Sequence, residues 1–316
     1  MRALVVNPEL SFRSDYPDPA SVPGESIVRV TLAGICGTDL EITRGYMGYR
    51  GVPGHEFVGR VVETGDARLR GKRVVGEINA ACGKCSFCRA GLGRHCPGRT
   101  VLGIVKRDGT FAEYLRLPDE NLLPVPDSMS DDAAVFTEPL AAAYEIFEQI
   151  RLPHNQSIVV LGDGRLGAMV ALALKGENHA PVLAGRHPEK MERLASFGLA
   201  TRLEGDLTDK FDYVVDCTGR GAGFQRAIEL VKPRGTIVLK STAAAGASLN
   251  LAPIVINEIS VVGSRCGRFA PALAAIKSGK FDPRPLIDGT YPLEEGSAAI
   301  AAAAQTSNFK ILLKPS

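Results

Sequence analysis

Four cysteines fall within fifteen positions, Cys82, Cys85, Cys88 and Cys96, in the pattern C-x2-C-x2-C-x7-C. Thiolates two residues apart can turn back on one ion, and glycines at 83, 91 and 93 permit the tight backbone this requires. Four thiolates close a tetrahedral shell with no open place, which is the form of a structural zinc site. The same thiolates could hold an iron–sulfur cluster, or could be unligated core residues. Zinc is the expectation that fits the rest of the chain.

A second group is dispersed. Gly34-Ile35-Cys36-Gly37-Thr38-Asp39 and Gly54-His55-Glu56-Phe57-Val58-Gly59 place a soft thiolate and an imidazole nineteen positions apart. A catalytic zinc needs a few protein ligands and one open position. Glu56, or Glu138 in Thr137-Glu138-Pro139-Leu140, could add a carboxylate. Asp39 could accept the second N–H of His55 and fix its tautomer. Taken singly, such a cysteine or histidine is more often an ordinary packing or surface residue.

The third group is Gly162-Asp163-Gly164-Arg165-Leu166-Gly167, a G-x-G-x-x-G. Alone it is weak, but here it follows an apolar run and opens a helical pattern. The first glycine allows the turn, the second admits a pyrophosphate, and the third lets helix and strand pack closely. The helix start offers free N–H groups to the phosphates. After the second strand the chain reads Ala184-Gly185-Arg186-His187, with no carboxylate for a ribose. Gly185 leaves room for a phosphate and Arg186 can pair with one, so NADP is expected in preference to NAD. Glu189 lies nearby but at a helix start, where an acid is ordinary.

These groups need elements to carry them. The 316 residues carry a formal charge of +2 without a basic stripe or an acidic tail, which points away from nucleic acid. No apolar run approaches a membrane span. Met1-Arg2-Ala3-Leu4 reads as a strand that starts at once, and seven cysteines clustered for metal suit a reducing compartment, so a cytoplasmic enzyme is expected. Short strands over 26–32, 56–63, 72–78 and 111–117, broken by Gly and Pro, predict a β-rich first part. Residues 131–150 predict a helix with Ser130 as N-cap. From 157 onward strands (157–161, 181–184, 211–216, 235–239, 259–263) alternate with helices (165–175, 188–197, 223–231), the pattern of a doubly wound parallel sheet. The tail adds helices over 270–278 and 293–304 and a strand over 310–313. The expected domains are 1–129 with 267–316, β-rich and zinc-binding, and 130–266, dinucleotide-binding.

The Cys36 and His55 motifs together with the four-cysteine lobe resemble the medium-chain zinc-dependent alcohol dehydrogenase family over nearly the whole chain. The resemblance implies an α/β protein, a chaperonin-10-like β-barrel catalytic domain plus a Rossmann domain, with two zinc ions per chain. It implies Cys36 and His55 as catalytic ligands. Glu138-Pro139-Leu140 looks like the acidic version of the third ligand found in the polyol, sugar and threonine branch. Glu56 matches the family's glutamate beside the histidine ligand. Thr38 matches the hydroxyl that carries the alcohol proton outward. The relay's usual histidine is replaced by Glu41, which could take that role. Cys217 and Thr218, Ser264, Arg265 and Cys266 match strand ends near the nicotinamide, and Lys310 matches a basic residue that meets the pyrophosphate. Homodimers or homotetramers are implied, with 247–256 a candidate contact.

The chemistry expected is hydride transfer between a secondary alcohol, polyol or sugar (or the matching ketone) and NAD(P), with zinc as Lewis acid and Thr38 accepting the proton. Arg44, Tyr46 and Tyr49 could line a polar substrate cleft or an ordinary solvated loop. Rival expectations are an NADPH-dependent reductase of activated C=C bonds and a non-catalytic cofactor-binding protein.

Overall fold

Sheets of two different kinds organise the chain. The computed structural model describes residues 1–242, 249–280 and 282–315. Contacts divide the chain into one unit, Met1–Glu138 with Phe269–Ser316, and a second, Pro139–Arg268.

The first unit opens with β1 (Ala3–Val6) and β2 (Leu10–Arg13), paired antiparallel. In β3 (Glu25–Gly34), Val28, Val30 and Leu32 are buried while Arg29 is exposed, the period of two that a one-sided strand needs. After α1 (Gly37–Thr43) come β4 (Glu56–Glu63), β5 (Arg73–Gly76) and β6 (Asn79–Ala80). The cysteine lobe holds α2 (Ser86–Arg89), and β7 (Thr100–Val101) returns to pair with β6. Then follow β8 (Tyr114–Pro118), β9 (Leu122–Pro124) and α3 (Asp131–Ala134). Ser130 caps α3, its hydroxyl accepting from the Ala133 N–H at 3.3 Å.

The helix expected over 131–150 is two helices. The chain turns at Val135 and Phe136, both buried, and resumes as α4 (Thr137–Gln149). Pro139 sits in the first turn of α4, where a missing N–H costs nothing. The division between units also lies later than the sequence pattern suggested. Asp131 of α3 accepts from the Thr31 hydroxyl of β3 at 2.9 Å and from Arg73 of β5 at 3.0 Å, which ties α3 to the first unit.

The second unit runs β10 (Ile158–Leu161), α5 (Arg165–Gly176), β11 (Val182–Gly185), α6 (Pro188–Ala195), β12 (Ala200–Leu203), β13 (Phe211–Asp216), α7 (Gly221–Leu230), β14 (Val231–Leu239), α8 (Ala252–Ile256) and β15 (Ser260–Gly263). Its six strands are all parallel in the order β12-β11-β10-β13-β14-β15. All four residues of β10 are buried, as a central parallel strand requires. The order reverses between β10 and β13, so the crevice at the carboxyl ends of the strands is where a ligand binds in such sheets.

The chain then rejoins the first unit with α9 (Phe269–Lys277), β16 (Ile287–Pro292), α10 (Gly296–Ala304) and β17 (Lys310–Lys314). The large sheet of that unit has the order β16-β17-β3-β4-β5-β9, with β8 also on β3. The strands β2, β7, β9, β12 and β16, each of two to six residues, were not expected.

Candidate active site

In the first unit, Cys36 precedes α1 as its N-cap, and Asp39 lies in the first turn. The two Asp39 oxygens have separate jobs. One accepts the Cys36 backbone N–H at 2.8 Å, and the other faces His55 Nδ1 at 3.1 Å. A fully buried carboxylate therefore fixes both the loop that carries the thiolate and the ring that carries the imidazole. With Nδ1 engaged, Nε2 is left as the ligand atom. Burial works against charge on His55, but the Asp39 carboxylate and the Cys36 side chain outweigh it and hold the imidazole pKa well above its ordinary value.

Glu56 begins β4 opposite Gly34 of β3. A side chain at Gly34 would place its Cβ 2.1 Å from Glu56 Oε2, so glycine there makes room for the carboxylate. Oε2 meets Lys310 Nζ at 2.5 Å, with both side chains almost wholly buried, while Oε1 is buried without a hydrogen-bond partner. The donor atoms of Cys36, His55 and Glu56 lie within 4.8 Å of one another. Thiolate, tautomer-fixed imidazole and an unsatisfied carboxylate oxygen are the donors a catalytic zinc takes, and the orphaned Oε1 is an atom that a cation would complete. Glu138 is buried nearby but stands outside this mutually close set. Burial pushes its carboxyl up to about 7, with His55 opposing the rise and Glu56 adding to it.

The other expected residues of this unit separate. Thr38 Oγ1 is 3.9 Å from Cys36 Sγ, beside the donor set. Glu41 lies on the exposed end of α1, ion-paired with Arg44 at 2.8 Å. Tyr49 corrects the thought of a substrate-facing tyrosine. It is buried, and its hydroxyl reaches the carbonyls of Val52 and Arg107 at 2.8 and 3.0 Å, so it locks a loop. Lys310 is likewise not held ready for a phosphate, because its ammonium is committed to Glu56 inside the first unit.

The lobe brings its four sulfurs together. Cys85 Sγ lies 3.4 Å from that of Cys88 and 3.7 Å from that of Cys96, and Cys82 Sγ lies 3.9 Å from that of Cys88. All four are within 4.8 Å of one another. Backbone N–H groups of Lys84 and Cys85 hold the Cys82 thiol down, to about 6, which favours the thiolate that a metal binds. The set fits a closed zinc site on the surface.

In the second unit, Gly162 turns with φ +108° and a Cβ at Gly167 would stand 1.8 Å from the Gly162 carbonyl oxygen. Gly164 has open space where a side chain would be, so the backbone can be approached there. Arg165 and Leu166 begin α5, whose first N–H groups face that space. These features fit a pyrophosphate. Beyond it, Thr218 donates its N–H and hydroxyl to Asp216 at 2.8 and 2.7 Å, and burial pushes the Cys217 thiol up, away from reactivity. Ser264 Oγ accepts from buried Lys240 at 2.9 Å and the Arg265 carbonyl accepts at 3.0 Å, while Cys266 follows at intermediate burial.

The space and charge read from Gly185 and Arg186 are already taken. A Cβ at Gly185 would lie 2.4 Å from Asp163 Oδ2. That oxygen accepts the backbone N–H groups of Arg186 and His187 at 2.7 and 2.8 Å, and His187 Nδ1 lies 3.0 Å from it. The Arg186 guanidinium pairs with Glu204 at 2.6 Å. Asp163, Glu204 and Lys240 were not singled out from the sequence. For Asp163 a signal existed: a carboxylate between the first two glycines would repel a pyrophosphate unless it turned aside.

Residues 22–127 match the alcohol dehydrogenase GroES-like domain and residues 166–278 match the zinc-binding dehydrogenase domain. An L-threonine 3-dehydrogenase from Rhizobium johnstonii is 30% identical over 99% of this chain and 98% of its own length. A sorbitol dehydrogenase from Halalkalibacterium halodurans is 28% identical over 95% and 94%. A solved structure described as a zinc-binding dehydrogenase from Sinorhizobium meliloti 1021, bound to NADP, superposes with a TM-score of 0.90 at 25% identity, covering 99% of each chain. The chain belongs to the medium-chain, zinc-binding alcohol dehydrogenase family. Its GroES-like and Rossmann-like halves make an α/β oxidoreductase that acts on the CH–OH group of alcohols or polyols with a nicotinamide cofactor.

Proposed function

We propose that Cys36, His55 and Glu56 hold a catalytic zinc, that Cys82, Cys85, Cys88 and Cys96 hold a structural one, and that the substrate is a polar secondary alcohol, polyol or sugar, or the matching ketone. The observation that carries the first part is that Glu56, a member of the mutually close Cys36–His55–Glu56 set, has a buried Oε1 without a hydrogen-bond partner among the described residues. A zinc held by that set would supply Lewis acidity toward a substrate oxygen, and a bound nicotinamide would supply the hydride acceptor or donor. The residues of this chain prepare that chemistry. Asp39 holds His55 in one tautomer and anchors the Cys36 loop. Lys310 neutralises Glu56 from the side away from its unpartnered oxygen. Thr38, beside Cys36, takes the proton of the alcohol. Glu41 plays no part in the onward relay, because its carboxylate is spent on an exposed pair with Arg44. Glu138 stays as a buried acid next to the donors, able to replace Glu56 if the shell rearranges.

Around Gly164, Arg165, Leu166 and Gly167 the loop and α5 hold the pyrophosphate, and Thr218, Ser264, Arg265 and Cys266 edge the nicotinamide end. The named relatives that act on sorbitol and L-threonine support a substrate with a secondary hydroxyl and polar neighbours. Cysteines gathered as metal ligands support a reducing compartment, in keeping with the cytoplasm. Leu251, Val255 and Ile256 on and before α8 are 53%, 79% and 76% exposed, which supports self-association through the β15 edge. Residues 247 and 248 of the segment expected there lie outside the described residues. The test is absorbance at 340 nm with a panel of simple alcohols, polyols and sugars, before and after a chelator, alongside metal analysis. Two zinc equivalents and chelator-sensitive alcohol oxidation are expected. Turnover confined to activated C=C substrates, or insensitive to metal removal, would overturn the proposal.

A further inference from the structure

We infer that Asp163 sets the choice between the two nicotinamide cofactors, favouring a free 2′-hydroxyl, as in NAD(H), over a 2′-phosphate, as in NADP(H). This rests on, and deepens, the reading of the β10–glycine loop–α5 turn as the dinucleotide site. In sheets of this order the end of the second strand meets the adenosine ribose, and a carboxylate at that strand end ordinarily receives its hydroxyls. Here the strand β11 ends in Gly185-Arg186-His187 and carries none. The carboxylate comes instead from the glycine loop. Asp163 crosses to β11 and fills the volume above Gly185, which has no side chain to oppose it.

Three observations bear on a phosphate. First, the N–H groups that could receive it, those of Arg186 and His187, already donate to Asp163 Oδ2 at 2.7 and 2.8 Å. Second, the Arg186 guanidinium is held by Glu204 through contacts of 2.6 and 3.3 Å. Third, Asp163 keeps its charge. Burial favours its neutral form, but the N–H groups of His187 and Arg186 and the His187 ring outweigh this and hold the carboxyl below its usual range. A 2′-phosphate would thus meet a fixed negative charge with its donors occupied, a repulsive element of the kind that produces specificity. A hydroxyl meets something different. A carboxylate offers about four acceptor positions, and the two N–H groups and the His187 ring use three, so one remains for a ribose O–H.

Equilibrium titration of the zinc-loaded, full-length protein with NADH and NADPH, followed by nicotinamide fluorescence, tests this without turnover. Wild type is expected to bind NADH about 100-fold or more tightly than NADPH, since like charges in contact cost several kcal/mol. Asp163→Asn, which keeps the shape and removes the charge, and Asp163→Ser should each narrow that ratio by about tenfold, chiefly through NADPH. Glu204→Gln, which frees Arg186 and leaves the loop intact, should narrow it by roughly threefold. Equal or tighter binding of NADPH by wild type overturns the inference. So does an unchanged ratio in the Asp163 variants when their thermal transitions remain native. If wild type binds neither nucleotide, the dinucleotide site itself is misread, an outcome distinct from a wrong preference between the two.

Discussion

The two ligand clusters of the first unit are built in opposite ways. The four cysteines come from one short stretch, range from exposed Cys82 to buried Cys96, and find each other through local turns and the four-residue helix α2. Cys36 stands at the start of α1, whereas His55 and Glu56 stand together at the start of β4 and are almost fully buried. Asp39 of α1 holds Cys36 and His55, and Lys310 of β17, 254 positions away, holds Glu56. A local cluster can reform whenever its ion is present. A dispersed one exists only when the sheet is complete, and the fold must stabilise buried charge to keep it.

Substitution separates the two most sharply at their thiolates. Cys36→Ser is expected to lower turnover by at least about a thousandfold, the loss of several kcal/mol of Lewis-acid stabilisation, while one zinc equivalent remains by metal analysis. Cys82→Ser is expected to remove the other equivalent and to lower the thermal midpoint by roughly 5–10 °C, a few kcal/mol for a unit of this size. Loss of both metals from either variant would show that the clusters are not independent.

Smaller effects refine the contrast. Asp39→Asn should weaken zinc binding or turnover by about 10–100-fold, as removal of a ligand's hydrogen-bond partner does, and competition with a chromogenic chelator measures it. Lys310→Met strands the Glu56 carboxylate, and breaking such a buried pair costs about 3–5 kcal/mol. Denaturant unfolding of metal-free protein should show that loss, and added zinc should reduce it by giving Glu56 another cation. Glu41→Gln should change turnover by less than about twofold, since an exposed pair contributes little. A large effect of Glu41→Gln on kcat would restore the outer proton relay expected from the sequence.

The legibility of these regions follows the same contrast. The cysteine lobe and the glycine loop announce themselves because their chemistry is contiguous, and β4 and β13 were readable residue for residue because both are regular strands between clear turns. The partner of Glu56 was not readable. Lys310 is 254 positions away, and only the pairing of β17 with β3 brings it there. The break between α3 and α4 was hidden because an alanine-rich run suits a helix throughout, and the turn is set by the burial of Val135 and Phe136. The pocket at Gly185 looked vacant from its own strand, because the side chain that fills it belongs to the loop after β10. Strand-end arithmetic looks for an acid at one position, and here the carboxylate found at that place comes from another.

The placement of β17 has a consequence for the order of biosynthesis. The second unit is one continuous stretch, Pro139–Arg268, whereas the first is interrupted by it. On the ribosome the parallel sheet emerges whole and can fold as a unit. In the β-rich sheet, β8 can pair with β3 over Glu25–Arg29, but Ala33 and Gly34 must wait for residues 310–314. Lys310 reaches Glu56 only then. Folding is therefore ordered by connectivity: the parallel sheet of the second unit can be complete before the Glu56–Lys310 pair of the first can form.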